Sequence, residues 1–260
     1  MNVHSQKEQI SHVDSGRIIL SVVCAVFNGS KVIGDLLQSY AKQDRKNTEL
    51  IVIDGASSDR TVEIVRASGV ANLVLSEPDC GIYDAWNKAI RHCSGTHVAF
   101  IGADDLLADG SLQHIVEACQ CASGSVNIIA GFNILTRNRI PVQLLGEVFD
   151  TSKLLRRMPM AHVMSAHSLN WLRELGGFDA SFRSAGDYEL LLRSSKALSV
   201  QTIPYILAYM EDGGTSRSAL LPHFETWRAR RKNEVSTVLA GGLLMRALGG
   251  SLLREIGLKR

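Results

Sequence analysis

Apolar residues fall along this chain in two rhythms. Ile18 to Phe27 is a nearly unbroken run, IILSVVCAVF, rich in β-branched residues, and predicts a strand buried on both faces. Asn28-Gly29-Ser30 breaks it. From Lys31 to Lys42 the period becomes that of a helix, with Val32, Ile33, Leu36, Leu37 and Tyr40 on one face. The alternation then repeats. Leu50 to Ile53 reads as a strand, Thr61 to Ala67 as a helix capped by Ser58 or Asp59, and Leu73 to Leu75 as a short strand. Ile82 to His92 is a helix, and Val98 to Ile101 a further strand. Strands alternating with helices at this spacing predict a parallel sheet with right-handed crossovers.

The second half is less regular. Leu112 to Cys121 has helical spacing, Val126 to Phe132 reads as a strand, and Thr136 to Val142 as a basic hairpin arm. The residues from Met158 to His162 lead into a strand-like segment. Leu169 to Leu175 is a short helix that Gly176-Gly177 terminates. Asp187 to Lys196 is an amphipathic helix packed through Leu190, Leu191 and Leu192. Val200 to Met210 is strand-like but holds Pro204, which predicts an edge strand. Asp212 to Ser216 is a glycine-rich turn, read either as an ordinary turn or as a lid over an anion. From Pro222 onward the chain is helical and basic, with Arg228, Arg230, Arg231 and Lys232 clustered.

Bulk properties narrow the picture. A chain of 260 residues with 45% hydrophobic and 21% charged content can bury a sizeable core. The net charge of +2 argues against a nucleic-acid partner. The five cysteines are odd in number and scattered, as expected of buried thiols in a reducing compartment. Met1 to Gly16 is polar, reads as a disordered tail and lacks the apolar core of a secretory signal. No window approaches the roughly 20 apolar residues of a membrane span. These features together predict a cytoplasmic protein. Membrane contact, if made, is peripheral and on the inner face, through the basic C-terminal helices. A solvated helix is the competing reading of that charge cluster.

The chemistry gathers at strand ends. Gly102-Ala103-Asp104-Asp105 closes a buried strand with two adjacent carboxylates, which suits a divalent cation shared with a diphosphate, or else a helix cap. Asn28, Asp54 and Asp79 reach the same sheet edge, where open α/β sheets bind ligands.

In these blocks the chain resembles the family 2 glycosyltransferases, inverting enzymes of GT-A fold, over about Ile18 to Ser216. The likeness rests on Phe27-Asn28, then Ile53 to Thr61 (IDGASSDRT), then Ser76 to Lys88 (SEPDCGIYDAWNK). Gly102 to Asp105, Leu175 to Asp179 (LGGFD) and Ala185 to Leu190 (AGDYEL) complete it. It is most similar to the subgroup that builds bacterial surface polysaccharides, lipopolysaccharide among them.

The resemblance implies a GT-A, Rossmann-like α/β fold, with a mostly parallel central sheet flanked by helices and a C-terminal helical extension. It implies a nucleotide-sugar-binding half over 17–105 and an acceptor-binding half over 106–216, between the polar tail over 1–16, expected to be disordered, and the basic helical extension over 217–260. Asp187 stands at the place of the catalytic base. Phe27, Asn28, Asp54, Gly81, Asp84, Asn87 and Asp104 belong to blocks that line the donor site. Asp104 and Asp105 stand at the metal motif, with Mn2+ or Mg2+ as cofactor and Asp105 as the expected direct ligand. His162 and Asp179 are candidate acceptor contacts, while Trp86 and His167 read as packing. The implied partners are a nucleotide-diphospho-sugar donor and a saccharide or lipid-linked acceptor.

Two departures from the family pattern matter. Many relatives carry two consecutive aspartates where this chain has Asp54-Gly55, the second contacting uracil, and Gly55 cannot do so; UDP stays the favoured nucleotide. The Gln-x-x-Arg-Trp signature of processive synthases is missing, which implies one sugar per encounter. Two alternatives stay open: a nucleotidyltransferase, for which a glycine-rich phosphate loop after the first strand is lacking, and a non-catalytic subunit of a polysaccharide-assembly complex.

Overall fold

The computed structural model describes residues 17–213 and 220–255. The N-terminal tail, most of the glycine-rich turn after Asp212 and the last basic residues lie outside the described residues. In chain order the elements are β1 (Leu20–Val26), α1 (Ile33–Ala41), β2 (Thr48–Asp54), α2 (Thr61–Ser68), β3 (Leu73–Ser76), α3 (Ile82–His92) and β4 (His97–Gly102). There follow β5 (Leu106–Leu107), α4 (Ser111–Cys121), β6 (Ile128–Arg137), β7 (Ile140–Leu145), α5 (Thr151–Leu154), β8 (Ala166–Ser168), α6 (Leu169–Glu174) and α7 (Gly186–Ser194). The chain continues through β9 (Val200–Glu211), α8 (Leu221–Lys232) and α9 (Thr237–Glu255).

One sheet runs through the molecule in the order β3-β2-β1-β4-β8-β6-β9-β5, with β7 paired to β6. The first half is parallel, as the alternating pattern predicts: β1 lies between β2 and β4, and β2 pairs β3. Because successive strand residues point to opposite faces, β1 feeds two cores. Val23, Ile51, Ile53 and Phe100 pack under α3, α6 and α7. Val22, Cys24, Leu50 and Val52 pack under α1, α2 and α4. Each such side chain contributes about 1.5–3 kcal/mol on burial, which makes these strands the centre of the fold.

The second half departs from the simple repeat. Three-residue β8 runs antiparallel to both β4 and β6 and joins the parallel half to the β6–β9 pair. The expected edge strand, β9, lies inside the sheet path, between β6 and β5. Pro204 is nonetheless tolerated for a physical reason. The β6–β9 register jumps from Ala130↔Thr202 to Phe132↔Ile206, so Pro204 sits in a bulge, and β5 meets only Tyr209 and Ala208. Gly131 opposite supplies the room, since a Cβ there would lie 2.6 Å from Leu207 Cγ.

The basic arm is the β6–β7 hairpin, closed by Asn138 and Arg139, both at positive φ. All five cysteines are free; Cys24, Cys93 and Cys119 are buried, but Cys80 and Cys121 are exposed, against the expectation of buried thiols throughout. Among the described residues no helix is long and apolar enough to cross a membrane.

Candidate active site

The parallel strands end together, and their loops are tied by side chains. Asn28 accepts the Ser58 N–H at 2.9 Å and donates its own N–H to Ser57 Oγ at 2.7 Å, which locks the loops after β1 and β2. Asp54 is 1% exposed and accepts from the Ser57 N–H, the Ser57 hydroxyl and the Ser76 hydroxyl. It therefore shapes the loop rather than offering an open carboxylate. Phe27, by contrast, stands 65% exposed at the end of β1.

The SEPDCGIYDAWNK block folds largely onto itself. Gly81 opens α3 at φ 121°. Asp84 accepts the Cys80 N–H at 3.0 Å, and Lys88 holds the loop through the Pro78 carbonyl at 2.6 Å and Glu77 at 3.1 Å. Asn87 clamps Phe178 by donating to its carbonyl and accepting its N–H, both at 2.8 Å. Asp84 and Asn87 thus hold the loops before α3 and after α6.

At the end of β4 the chain turns back on itself. Asp105 is 6% exposed, and its oxygens accept the N–H groups of Gly102 at 3.0 Å and Glu211 at 3.1 Å. Gly102 makes this turn feasible, because a Cβ there would lie 2.8 Å from Asp105 Oδ2 and 3.0 Å from Asp104 Oδ1. Burial, then the neighbouring Asp104 charge, pushes the Asp105 carboxyl up to about 7. Asp104 has the more open position and lines the cleft; its carbonyl takes a hydrogen bond from Arg139, which also pairs Asp35 at 2.8 Å. The hairpin tip is thereby pinned to α1 and to the carboxylate turn.

The donor set suits a hard divalent cation. The carboxylates lie against one glycine, and a cation would offset the repulsion that raises Asp105. No group of three or more His, Cys, Asp or Glu side chains gathers among the described residues, so the remaining ligands would be diphosphate oxygens and water.

A cleft of about 630 Å³ runs from this turn to the start of α7, lined among others by Asp104, Asp105, Tyr83, Trp86, His162 and Asp187. Asp187 sits in the first turn of α7, half-buried. It accepts the Tyr188 N–H at 2.8 Å and the Tyr83 hydroxyl at 3.1 Å. Gly186 lets the Tyr83 ring close in, since a Cβ there would lie 2.8 Å from it. Burial raises the proton affinity of Asp187 above the ordinary carboxylate value, and the Glu225 charge adds to it. Such a carboxylate is poised to take a proton.

The two candidate acceptor contacts separate. His162 lines the cleft, 8% exposed and stacked on Trp86 with ring centroids 5.4 Å apart. Burial holds it down to about 4, so it is neutral at pH 7 and is no cationic phosphate ligand. Asp179 lies elsewhere; it accepts the Ser181 N–H at 2.9 Å and pairs Lys232 at 2.6 Å, tying its loop to α8. His167 is fully buried and donates its Nδ1–H to the Ser165 carbonyl at 3.0 Å, as packing requires.

Glu225 was not legible as part of the site. From α8, 6% exposed, it accepts the N–H groups of Arg183, Ser184 and Ala185 at 2.7–3.1 Å, the three residues that lead into α7. A lone glutamate on a basic helix gives no local signal of a partner 40 residues earlier. Glu225→Ala strands those donors and is expected to cost about 3 kcal/mol. Urea denaturation measures it; a loss below about 1 kcal/mol would mean that water replaces the carboxylate.

A mixed sheet whose carboxyl edge carries a carboxylate pair, with the half-buried Asp187 in the same cleft, has the arrangement of a GT-A fold. Residues 21–163 match the family model for glycosyl transferase family 2, and the chain belongs to that family. A PGL/p-HBAD biosynthesis glycosyltransferase of Mycobacterium bovis is 25% identical over 213 residues, covering 79% of this chain and 82% of the relative. S. aureus TarS 1–349 in complex with UDP-GlcNAc is similar at TM-score 0.68 and 19% identity, over 89% of this chain and 72% of that one. Glucosyl-3-phosphoglycerate synthase from Mycobacterium tuberculosis, in complex with Mn2+, UDP and glucosyl-3-phosphoglycerate, is similar at TM-score 0.59 and 18% identity, over 85% and 81% of the two chains. At these identities the solved structures show the shared fold.

Proposed function

We propose that this glycosyltransferase moves one sugar per encounter, with inversion, from a nucleotide-diphospho-sugar, a UDP-sugar first, to a saccharide or lipid-linked saccharide of bacterial surface polysaccharide assembly. The observation that carries the reading is Asp187, a carboxylate of raised proton affinity in the same cleft as Asp104 and Asp105. The acceptor hydroxyl gives its proton to Asp187 as its oxygen bonds to the anomeric carbon. The bond from that carbon to the diphosphate oxygen breaks, and the nucleoside diphosphate leaves. A single displacement from the opposite face inverts the anomeric centre. A divalent cation, Mn2+ or Mg2+, held by Asp104 and Asp105 would supply Lewis-acid stabilisation of the leaving diphosphate. Tyr83 and Glu225 hold Asp187 in place, the first by its hydroxyl and the second through the α7 approach.

Asp187 also lines a second cavity of about 340 Å³, on whose wall lie Arg156, His223, Leu243, Leu244 and Ala247. An acceptor approaching through it would meet cationic and apolar surfaces together, which favours the lipid-linked form. The same helical pair leaves Phe224, Val238 and Met245 exposed beside its basic residues, in keeping with contact at an anionic membrane face. In low salt the chain is therefore expected to co-sediment with vesicles of anionic but not neutral lipid. Recovery wholly in the supernatant would remove the membrane contact.

Calorimetry with UDP in the presence and absence of Mn2+ tests the main reading. Saturable UDP binding that strengthens at least tenfold with Mn2+ is the expected result. No binding of any nucleoside diphosphate would move the chain to the non-catalytic alternative.

A further inference from the structure

Asp187 stands where two cavities join. The smaller one, about 340 Å³, lies between the loop after α5, the start of α7 and the α8–α9 pair, and it shares Arg157, Ser184 and Asp187 with the main cleft. Its walls differ in kind. Arg156 and Arg230 make one of them cationic, and Leu243, Leu244 and Ala247 of α9 make the other apolar. The apolar wall is tied to α8 by a hydrogen bond between His223 Nε2 and Ser251 Oγ at 2.7 Å.

The cationic wall is uncompensated. Arg230 is 4% exposed, yet it pairs no carboxylate among the described residues. Its Nε and Nη2 donate to the Leu155 and Arg156 carbonyls, both at 2.8 Å, and its guanidinium lies over the Tyr188 ring, 5.4 Å from the centroid. These contacts fix the loop that carries Arg156. The Arg156 guanidinium itself makes no hydrogen bond or ion pair among the described residues. Arg157 is answered by Glu147 at 2.8 Å, and Asp187 is the one acid among the described residues that line this cavity. Buried charges are ordinarily paired, because leaving water without a partner is costly. Two guanidinium groups beside a cavity, without carboxylates of their own, are therefore suited to a ligand that brings two negative charges.

We infer that this cavity takes the acceptor by a diphosphate that joins its sugar to an apolar chain. The diphosphate oxygens lie on Arg156 and Arg230, and the first part of the chain lies on Leu243 and Leu244. The inference rests on the glycosyltransferase reading above and deepens it, from a saccharide or lipid-linked acceptor to one linkage chemistry and the residues that hold it. The cavity is too small for a long chain, and the remainder runs along α9, whose Leu239 and Met245 are exposed. In the other direction the sugar enters the junction with the main cleft, where Asp187 waits for its hydroxyl. Ser184 Oγ lies at that junction, buried and without a hydrogen-bond partner among the described residues, and is free to bind the same sugar.

Calorimetry on the full chain tests this with farnesyl diphosphate as the probe, in the presence of chelator so that the metal motif of the donor site stays silent. Farnesyl diphosphate is expected to bind at least about tenfold more tightly than inorganic diphosphate, which lacks the chain, and than dodecyl maltoside, which lacks the charge. Dihexanoyl phosphatidylglycerol carries the singly charged phosphodiester of a membrane headgroup, and it should be weaker by about the same factor. Arg156→Glu alters an exposed side chain and keeps the carbonyl that Arg230 uses. It should weaken farnesyl diphosphate at least about tenfold and leave dodecyl maltoside unchanged. Leu244→Gln should weaken farnesyl diphosphate and leave inorganic diphosphate unchanged. Both variants should keep the wild-type affinity for UDP with Mn2+, which shows that they fold.

Farnesyl diphosphate bound no more tightly than inorganic diphosphate would mean a site for a bare anion, and would overturn the inference. Equal binding of phosphatidylglycerol would assign the cavity to a membrane headgroup and overturn it too. So would farnesyl diphosphate binding that Arg156→Glu leaves undiminished, since the ligand would then sit elsewhere. In each of these cases, retained UDP binding with Mn2+ leaves the transferase reading intact; loss of binding by UDP and farnesyl diphosphate alike in the wild type overturns both.

Discussion

Asp187→Asn is expected to lower turnover by about three orders of magnitude while UDP binding stays within a factor of two of wild type, in the range a general base supplies. Asparagine keeps the shape and can still accept the Tyr188 N–H and the Tyr83 hydroxyl, so the loop should remain in place. What it loses is basicity. The wild-type pH profile should carry an acid limb: Asp187 must be ionised to act, and its folded-state proton affinity is raised by burial. Activity should therefore fall as the pH drops through a value above the ordinary carboxylate range, and the variant's residual rate should lack this limb. Tyr83→Phe removes a hydrogen bond that favours the ionised form, so its limb should move to higher pH. A variant that turned over at the wild-type rate would exclude Asp187 as the base.

Asp105→Ala should reduce Mn2+-dependent UDP binding by roughly two orders of magnitude, several kcal/mol being the usual worth of a metal ion on a phosphoryl oxygen. Chelation of the wild type should produce a loss of the same size, and chelation of the variant little more. That non-additivity is the informative part, because it says that residue and cation act as one unit. Asp104→Ala should behave alike, since Asp104 has the more open place in the cleft. If UDP binding to Asp105→Ala still rose with Mn2+, the cation would be held elsewhere.

How much of this could be seen in the residues themselves follows from the range of the interactions. The parallel half was legible because Ile18–Phe27 and its successors carry both faces of the sheet in their composition, and helix periods separate them. The family blocks located Asp104, Asp105 and Asp187, which share one cleft. The second half was harder: β8 has three residues and β5 two, too short for any period to show. Pro204 predicted an edge strand, but β9 lies inside the sheet and a bulge accommodates the proline. Asp54, Asp84 and Asn87 hold their loops through side-chain hydrogen bonds, which spacing alone does not reveal. The Glu225 contacts depend on residues brought together only by the fold.

The Glu225 contact changes what counts as one working unit. The stretch matching the family model ends at residue 163, and α8 looks like an appendage that could be exchanged between relatives. Yet α8 supplies the acceptor for the backbone that presents Asp187. A core transplanted onto a foreign C-terminal helix would inherit the chemistry in name and lose its alignment. Whatever binds or shifts α8 acts on the end of the cleft that holds Asp187. The stretch that matches the family model and the stretch that builds the cleft therefore end at different places in the same chain.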